Sequence, residues 1–284
     1  HAEWAKELLR AIAKHGKKRI WFGQTTINMG DDPEGLKLAY DAGCRSMLVG
    51  YETFNEQALK QYHKGLNALN LSRYQSLTDG FHKAGLSVFG AFIIGADEDT
   101  PQTVADTALT AVRMGIDIIQ ITNLTPLPGT RMFERFKEED RLPATDYPRD
   151  WERYTFTETV YDPKGMTARE LDEAIYELRY AAATSRWVFK RALRTLIRTR
   201  SLTTALFVLD TNRGWKRMAQ IQRPVDEKRF GFAPKPSPRL KQIFRAFRMN
   251  LTARVNDASQ SAPSSPTAGS DLSRPATTAS GQPE

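Results

Sequence analysis

The stretch KAGLSVFGAFIIG, residues 83–95, decides the fold. A helix-compatible segment closes on Gly85, and two residues later an almost unbroken apolar run begins. Glycine just past a helix takes the left-handed conformation at little steric cost. Near-continuous apolar strands are what a parallel sheet covered by helices requires. The same grammar recurs on both sides: KHG then KKRIWFG around Gly16, DAG then CRSMLVG around Gly43, and RMG then IDIIQITNL around Gly115. The spacings between these glycines suit right-handed strand–helix crossovers. Four strand–helix units are therefore predicted, with strands near Arg19–Gln24, Ser46–Glu52, Ser87–Gly95 and Asp117–Leu124.

Helix starts agree. Asp32-Pro33 and Thr100-Pro101 each set a capping side chain ahead of a proline at the first helical position. Past Thr130 the strand grammar stops. Residues 142–161 hold two prolines and five aromatics and read as an ordered connection packed on the sheet. Thr167 with Glu170 forms a capping-box signature, opening a helical pattern that continues with breaks to Arg200. Residues 201–222 read as helix again, and 223–238 as a proline-interrupted basic segment. The Ser/Pro/Ala/Thr-rich end, 257–284, carries too little apolar surface to fold and is predicted disordered. The expected divisions are 1–141, 142–256 and 257–284.

The chain has 284 residues with a net charge of +8, and 40% of them are hydrophobic. Residues 160–256 hold 21 Lys and Arg against 8 Asp and Glu, so the basic excess belongs to that stretch alone. The longest apolar run, Ala205–Leu209, is far short of the roughly 20 residues of a membrane span. A single cysteine, Cys44, forms no internal disulfide and no metal-ligand spacing, and is read as a buried core thiol. A reducing, cytoplasmic setting is expected. His1 opens directly into helical pattern, which predicts a fragment of a longer protein.

In parallel α/β folds ligands sit at the C-terminal ends of the strands. Gln24, Glu52, Thr53, Gly95 and Thr122 with Asn123 occupy those ends. A carboxylate such as Glu52 at a buried strand end needs either a hydroxyl-bearing ligand or a salt bridge to a nearby lysine or arginine. Asp31-Asp32 is read as a helix cap, and Glu98 and Asp99 as charge complementing a helix N-terminus. The four histidines have no metal-ligand spacing and are read as surface residues. The run RWVFKRALRTLIRTR, Arg186–Arg200, places Val188, Ala192, Leu193, Leu196 and Ile197 on one side with arginines largely on another. It is read as a helix docked on the barrel with a solvated basic face, and alternatively as a peripheral membrane contact. Aromatic interleaving suited to nucleic acid is weak.

LVGYETFN (48–55), GAFIIGADEDTP (90–101) and ITNLTPLPGT (121–130), in that order and spacing, resemble the second half of the radical S-adenosylmethionine core. They are most like the class carrying a cobalamin-binding domain ahead of it. The resemblance covers about residues 1–165 and implies an α/β fold: the last four βα units, strands three to six, of a partial (β/α)6 TIM-like barrel, followed here by a helical extension. It also implies reductive cleavage of S-adenosylmethionine at a 4Fe-4S cluster, an electron donor protein, cobalamin as a further cofactor, and modification or methylation of a small-molecule or lipid-like substrate.

By position, the family's G-x-I-x-G-x-x-E pattern falls on Ala91, Ile93, Gly95 and Glu98. Ile93 would pack on adenine, Gly95 would admit it, and Ile121, Thr122 and Asn123 would offer backbone hydrogen bonds. Glu52 and Thr53, with Gln24 one strand earlier, would face the ribose or methionine portion. The CxxxCxxC cluster motif is absent, so this chain alone is expected to be inactive. The alternatives are an ordinary barrel lyase or aldolase and a non-catalytic barrel remnant that binds an anionic partner through its basic helices.

Overall fold

The computed structural model describes residues 2–16, 19–182 and 184–231. The predicted tail and most of the basic segment after Phe230 lie outside them. Four parallel strands form one sheet in the order β1 (Trp21–Thr25), β2 (Cys44–Glu52), β3 (Ser87–Ile94) and β4 (Ile118–Asn123). All four predicted strands are present, with ends moved by up to two residues. The helices are α1 (Ala2–His15), α2 (Pro33–Asp41), α3 (Glu56–Gln61), α4 (Gly65–Asn70), α5 (Tyr74–Lys83), α6 (Pro101–Met114), α7 (Arg131–Glu138), α8 (Ala168–Ala182), α9 (Ser185–Thr199) and α10 (Leu202–Phe230). None of the described helices is long and apolar enough to cross a membrane.

The three caps act as predicted. Asp32 accepts from Gly35 N, Thr100 and Thr103 close a reciprocal box, and Thr167 and Glu170 do the same ahead of α8. Asp31 instead pairs with Arg73. Strand alternation then sorts side chains between two faces. On the first face Met47, Val49, Tyr51, Val88 and Phe92 pack against α2 and α5, while Ile94 packs against α6 and α8. On the second face Leu48, Phe89 and Ile118 meet Val208 and Phe207 of α10. The connection 142–161 is ordered, and Leu142, Tyr154, Val160 and Tyr161 pack with Leu124, Phe133 and Phe136.

Three expectations are corrected. First, α10 does not end near residue 222 but runs through Pro224 to Phe230. Proline leaves one carbonyl of the preceding turn without its helical partner. Contacts on the far side hold the helix together: Tyr180 Oη and Arg179 both reach Asp226, and Arg223 pairs with Glu227. Second, the arginines of α9 do not form a solvated face. Arg191 and Arg194 are buried, whereas Phe189, Leu193 and Ile197 are exposed. Arg194 donates to the carbonyls of Val112 and Arg113, and Arg198 to that of Met114. These carbonyls lie in the last turn of α6, at the negative end of its dipole, and that of Val112 also accepts from Gly115 N.

Third, His82 is buried, not superficial. Its Nε2 lies 2.9 Å from Asp117 Oδ2. Asp117 is 1% exposed, accepts also from Val88 N at 2.8 Å and from Thr195 Oγ1 at 2.5 Å, and its carbonyl accepts from Asn212 Nδ2. Burial alone would push this carboxyl up, but the charge and hydrogen bond of His82, with those of Thr195 and Val88, hold it below the usual carboxylate range. A lowered acid stabilises the fold above its unfolded value near 4 and loses that contribution as pH falls through the folded value. Asp117→Asn should cost about 3 kcal/mol at pH 7. Thermal melts should show the gap between variant and parent narrowing below about pH 4; a constant gap would remove Asp117 from the acid limb.

Candidate functional site

The C-terminal ends of β2, β3 and β4 open on a cavity of about 700 Å³. Glu52, Ile93 and Thr122 reach it from three successive strands. The connection Thr155–Thr157, α8, α9 and α10 close it on the other side.

Glu52 arrives there by an irregular route. The β2–β3 register slips between Gly50 and Glu52, and Glu52 adopts φ 64°. A bulge at a strand end re-aims side chains in this way. The carboxylate folds back over Gly50, where a Cβ would sit 2.7 Å from Oε1, and pairs with Lys64 Nζ at 2.8 Å. Of the two partners the sequence allowed, the lysine is therefore in place, yet Glu52 still lines the cavity. A left-handed glutamate stores roughly 1–3 kcal/mol of strain, and such strain gathers at ligand-contacting positions.

The other predicted residues divide. Thr122 faces the cavity and its hydroxyl donates to Phe92 O. Asn123 N donates to Phe156 O, away from β3. Strand alternation turns the N–H and C=O of Ile121 to that same edge, where Ile121 lines the cavity. The Asn123 side chain is occupied elsewhere, donating to Thr159 Oγ1 and Asp172 Oδ1 at 2.8 Å each.

Gly95 has φ 113°, its carbonyl accepts from the Tyr161 hydroxyl, and its N–H donates to Asp99 Oδ2. Tyr161 and Leu171 fill the space beside it. Asp99 is therefore buried, tying the Gly95–Ala96 turn to Thr103, while Glu98 is exposed. Burial pushes the Asp99 carboxyl up against those hydrogen bonds. Thr53 is buried, with its hydroxyl accepting from Asn55 N. Gln24 is exposed on β1, an edge strand, outside the cavity lining.

Sequence reasoning missed the lining from the C-terminal helices: Trp187, Arg191, Asn212, Trp215 and Met218. One signal was present. Val188, Ala192, Thr195 and Thr199 make a stripe of compact side chains at helical spacing, the face by which a helix approaches a sheet closely. Choosing it over the larger stripe through Leu193 and Ile197 would have turned Arg191 inward.

The chain is 30% identical over 185 residues to a bacteriochlorophyllide d C-12(1)-methyltransferase of Chlorobaculum tepidum, covering 65% of this chain and 38% of that one. It is 29% identical over 129 residues to a bacteriochlorophyllide d C-8(2)-methyltransferase of the same organism, covering 45% and 28%. It is a relative of methyltransferases. The chain thus spans well under half the length of these curated relatives. Among solved structures, the cobalamin-dependent S-adenosylmethionine radical enzyme OxsB with aqua-cobalamin bound aligns with 91% of this chain and 45% of its own, at 10% identity and a TM-score of 0.45. No family model matches.

Two glycine exchanges separate strain from packing. Glu52→Gly relieves the left-handed strain and forfeits only a partly exposed ion pair, so the melting temperature should hold or rise by a few degrees. Gly95→Ala forces a side chain into Tyr161 at a left-handed position and should cost about 2–4 kcal/mol. Differential scanning calorimetry reads both, and a large loss for Glu52→Gly would show that residue to be structural.

Proposed function

We propose that this chain is the S-adenosylmethionine-binding part of a radical S-adenosylmethionine methyltransferase. The observation that carries the reading is the convergence of Glu52, Ile93 and Thr122 from three consecutive strand ends on one cavity, in a chain whose curated relatives are methyltransferases. The resemblance of LVGYETFN, GAFIIGADEDTP and ITNLTPLPGT to the radical core supports the narrower class.

The residues present suit the nucleoside. Ala91 and Ile93 form an apolar wall against which a purine ring stacks, and the Ile121 N–H and C=O supply a donor and an acceptor for its edge. Glu52 provides an acceptor for ribose hydroxyls or the methionine ammonium, with Lys64 holding its carboxylate in place. S-adenosylmethionine, when bound, supplies the methyl group and the adenosyl carbon.

The described residues do not suit the iron–sulfur cluster. They include no group of three or more His, Cys, Asp or Glu able to hold a metal ion. Cys44 is buried at the start of β2, at the other end of that strand from Glu52, and burial pushes its thiol up to about 11. The proposal therefore assigns the cluster, and cobalamin with it, to other parts of the protein. An aldolase reading would call for a lysine in the cavity, and its described lining has none.

Equilibrium dialysis of the chain against S-adenosylhomocysteine, which reports binding without a cluster, tests this reading. Saturable binding is expected, weakened at least tenfold, about 1.4 kcal/mol, by Ile93→Asp and by Glu52→Gly. Absence of binding, or binding indifferent to both substitutions in variants with native circular dichroism, would overturn it.

A further inference from the structure

The two ends of the cavity differ in chemistry. Glu52, Ile93 and Thr122 mark the end at the strand C-termini. At the other end Asn212 Nδ2 donates to the carbonyl of Asp117, the residue just ahead of β4, and Arg191 Nη1 donates to Asn212 Oδ1 at 2.7 Å. Besides Ile119 to Thr122 of β4, the lining takes in Trp187 and Arg191 of α9 and Asn212, Trp215 and Met218 of α10. The nucleoside reading uses the strand-end residues and leaves this helical side of the cavity unassigned.

That far end is built as a pocket. Arg191 and Asn212 are 6% and 3% exposed, yet both line the cavity. The walls above them are apolar: Trp187 from α9, Leu178 from α8, Ile119 from β4, and Trp215 with Met218 from α10. Trp215 and Met218 are about half exposed, so the mouth is open and apolar. A guanidinium within an apolar wall is costly unless it has partners, and Asn212 and the charge of Asp117 are among those that Arg191 has. Burial draws its pKa down to about 10, against the supporting charge of Asp117, so it stays cationic at neutral pH. The planar fork of arginine matches a carboxylate with two parallel hydrogen bonds, and the surrounding low dielectric strengthens them.

We propose that this end of the cavity seats the molecule to be methylated, and that this molecule is a large, mainly apolar compound bearing a carboxylate, held by Arg191 with its apolar body between Trp187, Trp215 and Met218. The inference rests on the methyltransferase reading. It places the carboxylate at the α9–α10 side of the cavity and the nucleoside at the strand ends, so the acceptor must reach from the one toward the other.

Titration of the intact chain with 1-pyrenebutyric acid and its methyl ester, followed by tryptophan quenching and energy transfer to pyrene, tests the inference. The acid is expected to bind at least tenfold more tightly than the ester. Arg191→Met should erase that difference, Arg191→Lys should retain part of it, and Trp215→Ala should weaken acid and ester alike. Equal affinity for acid and ester in the unsubstituted chain would overturn the proposal, whatever becomes of the variants. So would an unchanged preference in a natively folded Arg191→Met. A third overturning result is loss of S-adenosylhomocysteine binding in Arg191→Met or Arg191→Lys, which would give the guanidinium to the methionine carboxylate. Failure of the chain to bind S-adenosylhomocysteine at all, with the acid preference intact, would remove the methyltransferase reading and leave the carboxylate pocket standing.

Discussion

The buried carboxylate of Asp117 is the junction on which the rest of the molecule depends. It meets His82 of α5, the start of β3 through Val88 N, and Thr195 of α9, while its main chain receives Asn212 of α10. Three helices, α5, α9 and α10, and the start of β3 are thereby joined at the N-terminal end of β4. An isolated carboxylate at 1% exposure would be prohibitively costly. With every partner present it becomes a geometric constraint, since loss of any one leaves a charge or donor unsatisfied in low dielectric. The position suits this division of labour, because ligand-binding groups gather at the opposite ends of the strands.

The same junction explains the inverted character of α9. Thr195 on Asp117 fixes the rotation of the helix, and with that rotation Arg191, Arg194 and Arg198 are turned inward. Two of the three meet main-chain carbonyls at the end of α6, where positive charge is favoured over an apolar contact. Gly115, left-handed at φ 90°, leaves the room that Arg198 occupies. The apolar residues Phe189, Leu193 and Ile197 are consequently displaced to the surface. Basic charge that composition alone would assign to solvent is used internally.

These facts mark where sequence reading works and where it stops. Asp32, Thr100 and Thr167 act on amides within three residues, and the glycines at 43, 85 and 115 close helices next to strands, so local spacing suffices to find them. Glu52 was legible as a strand-end carboxylate with two candidate partners, but its left-handed backbone and its fold over Gly50 were not. His82 and Asp117 lie 35 residues apart, and Thr195 lies 78 from Asp117. Nothing in the spacing of such residues distinguishes a surface histidine from a buried one. Pro224 misled for a related reason: the anchor that holds the helix beyond it is Asp226 against Tyr180, 46 residues away.

The cavity owes its shape to both ends of this scheme. At the strand C-termini a slipped register and a strained glutamate aim one carboxylate over a glycine. At the other end the helix rotation dictated by Thr195 and Asp117 brings a guanidinium into the apolar wall. The left-handed backbone at Glu52 costs stability that a glycine would avoid, and the buried guanidinium depends on partners such as Asn212 and the charge of Asp117. The two charges differ in sign and line one compartment from different elements, Glu52 from β2 and Arg191 from α9. Without ligand each polar group keeps its protein partners, Lys64 for Glu52 and Asn212 for Arg191, whereas an adenosyl group and an acidic apolar molecule bound together would engage both.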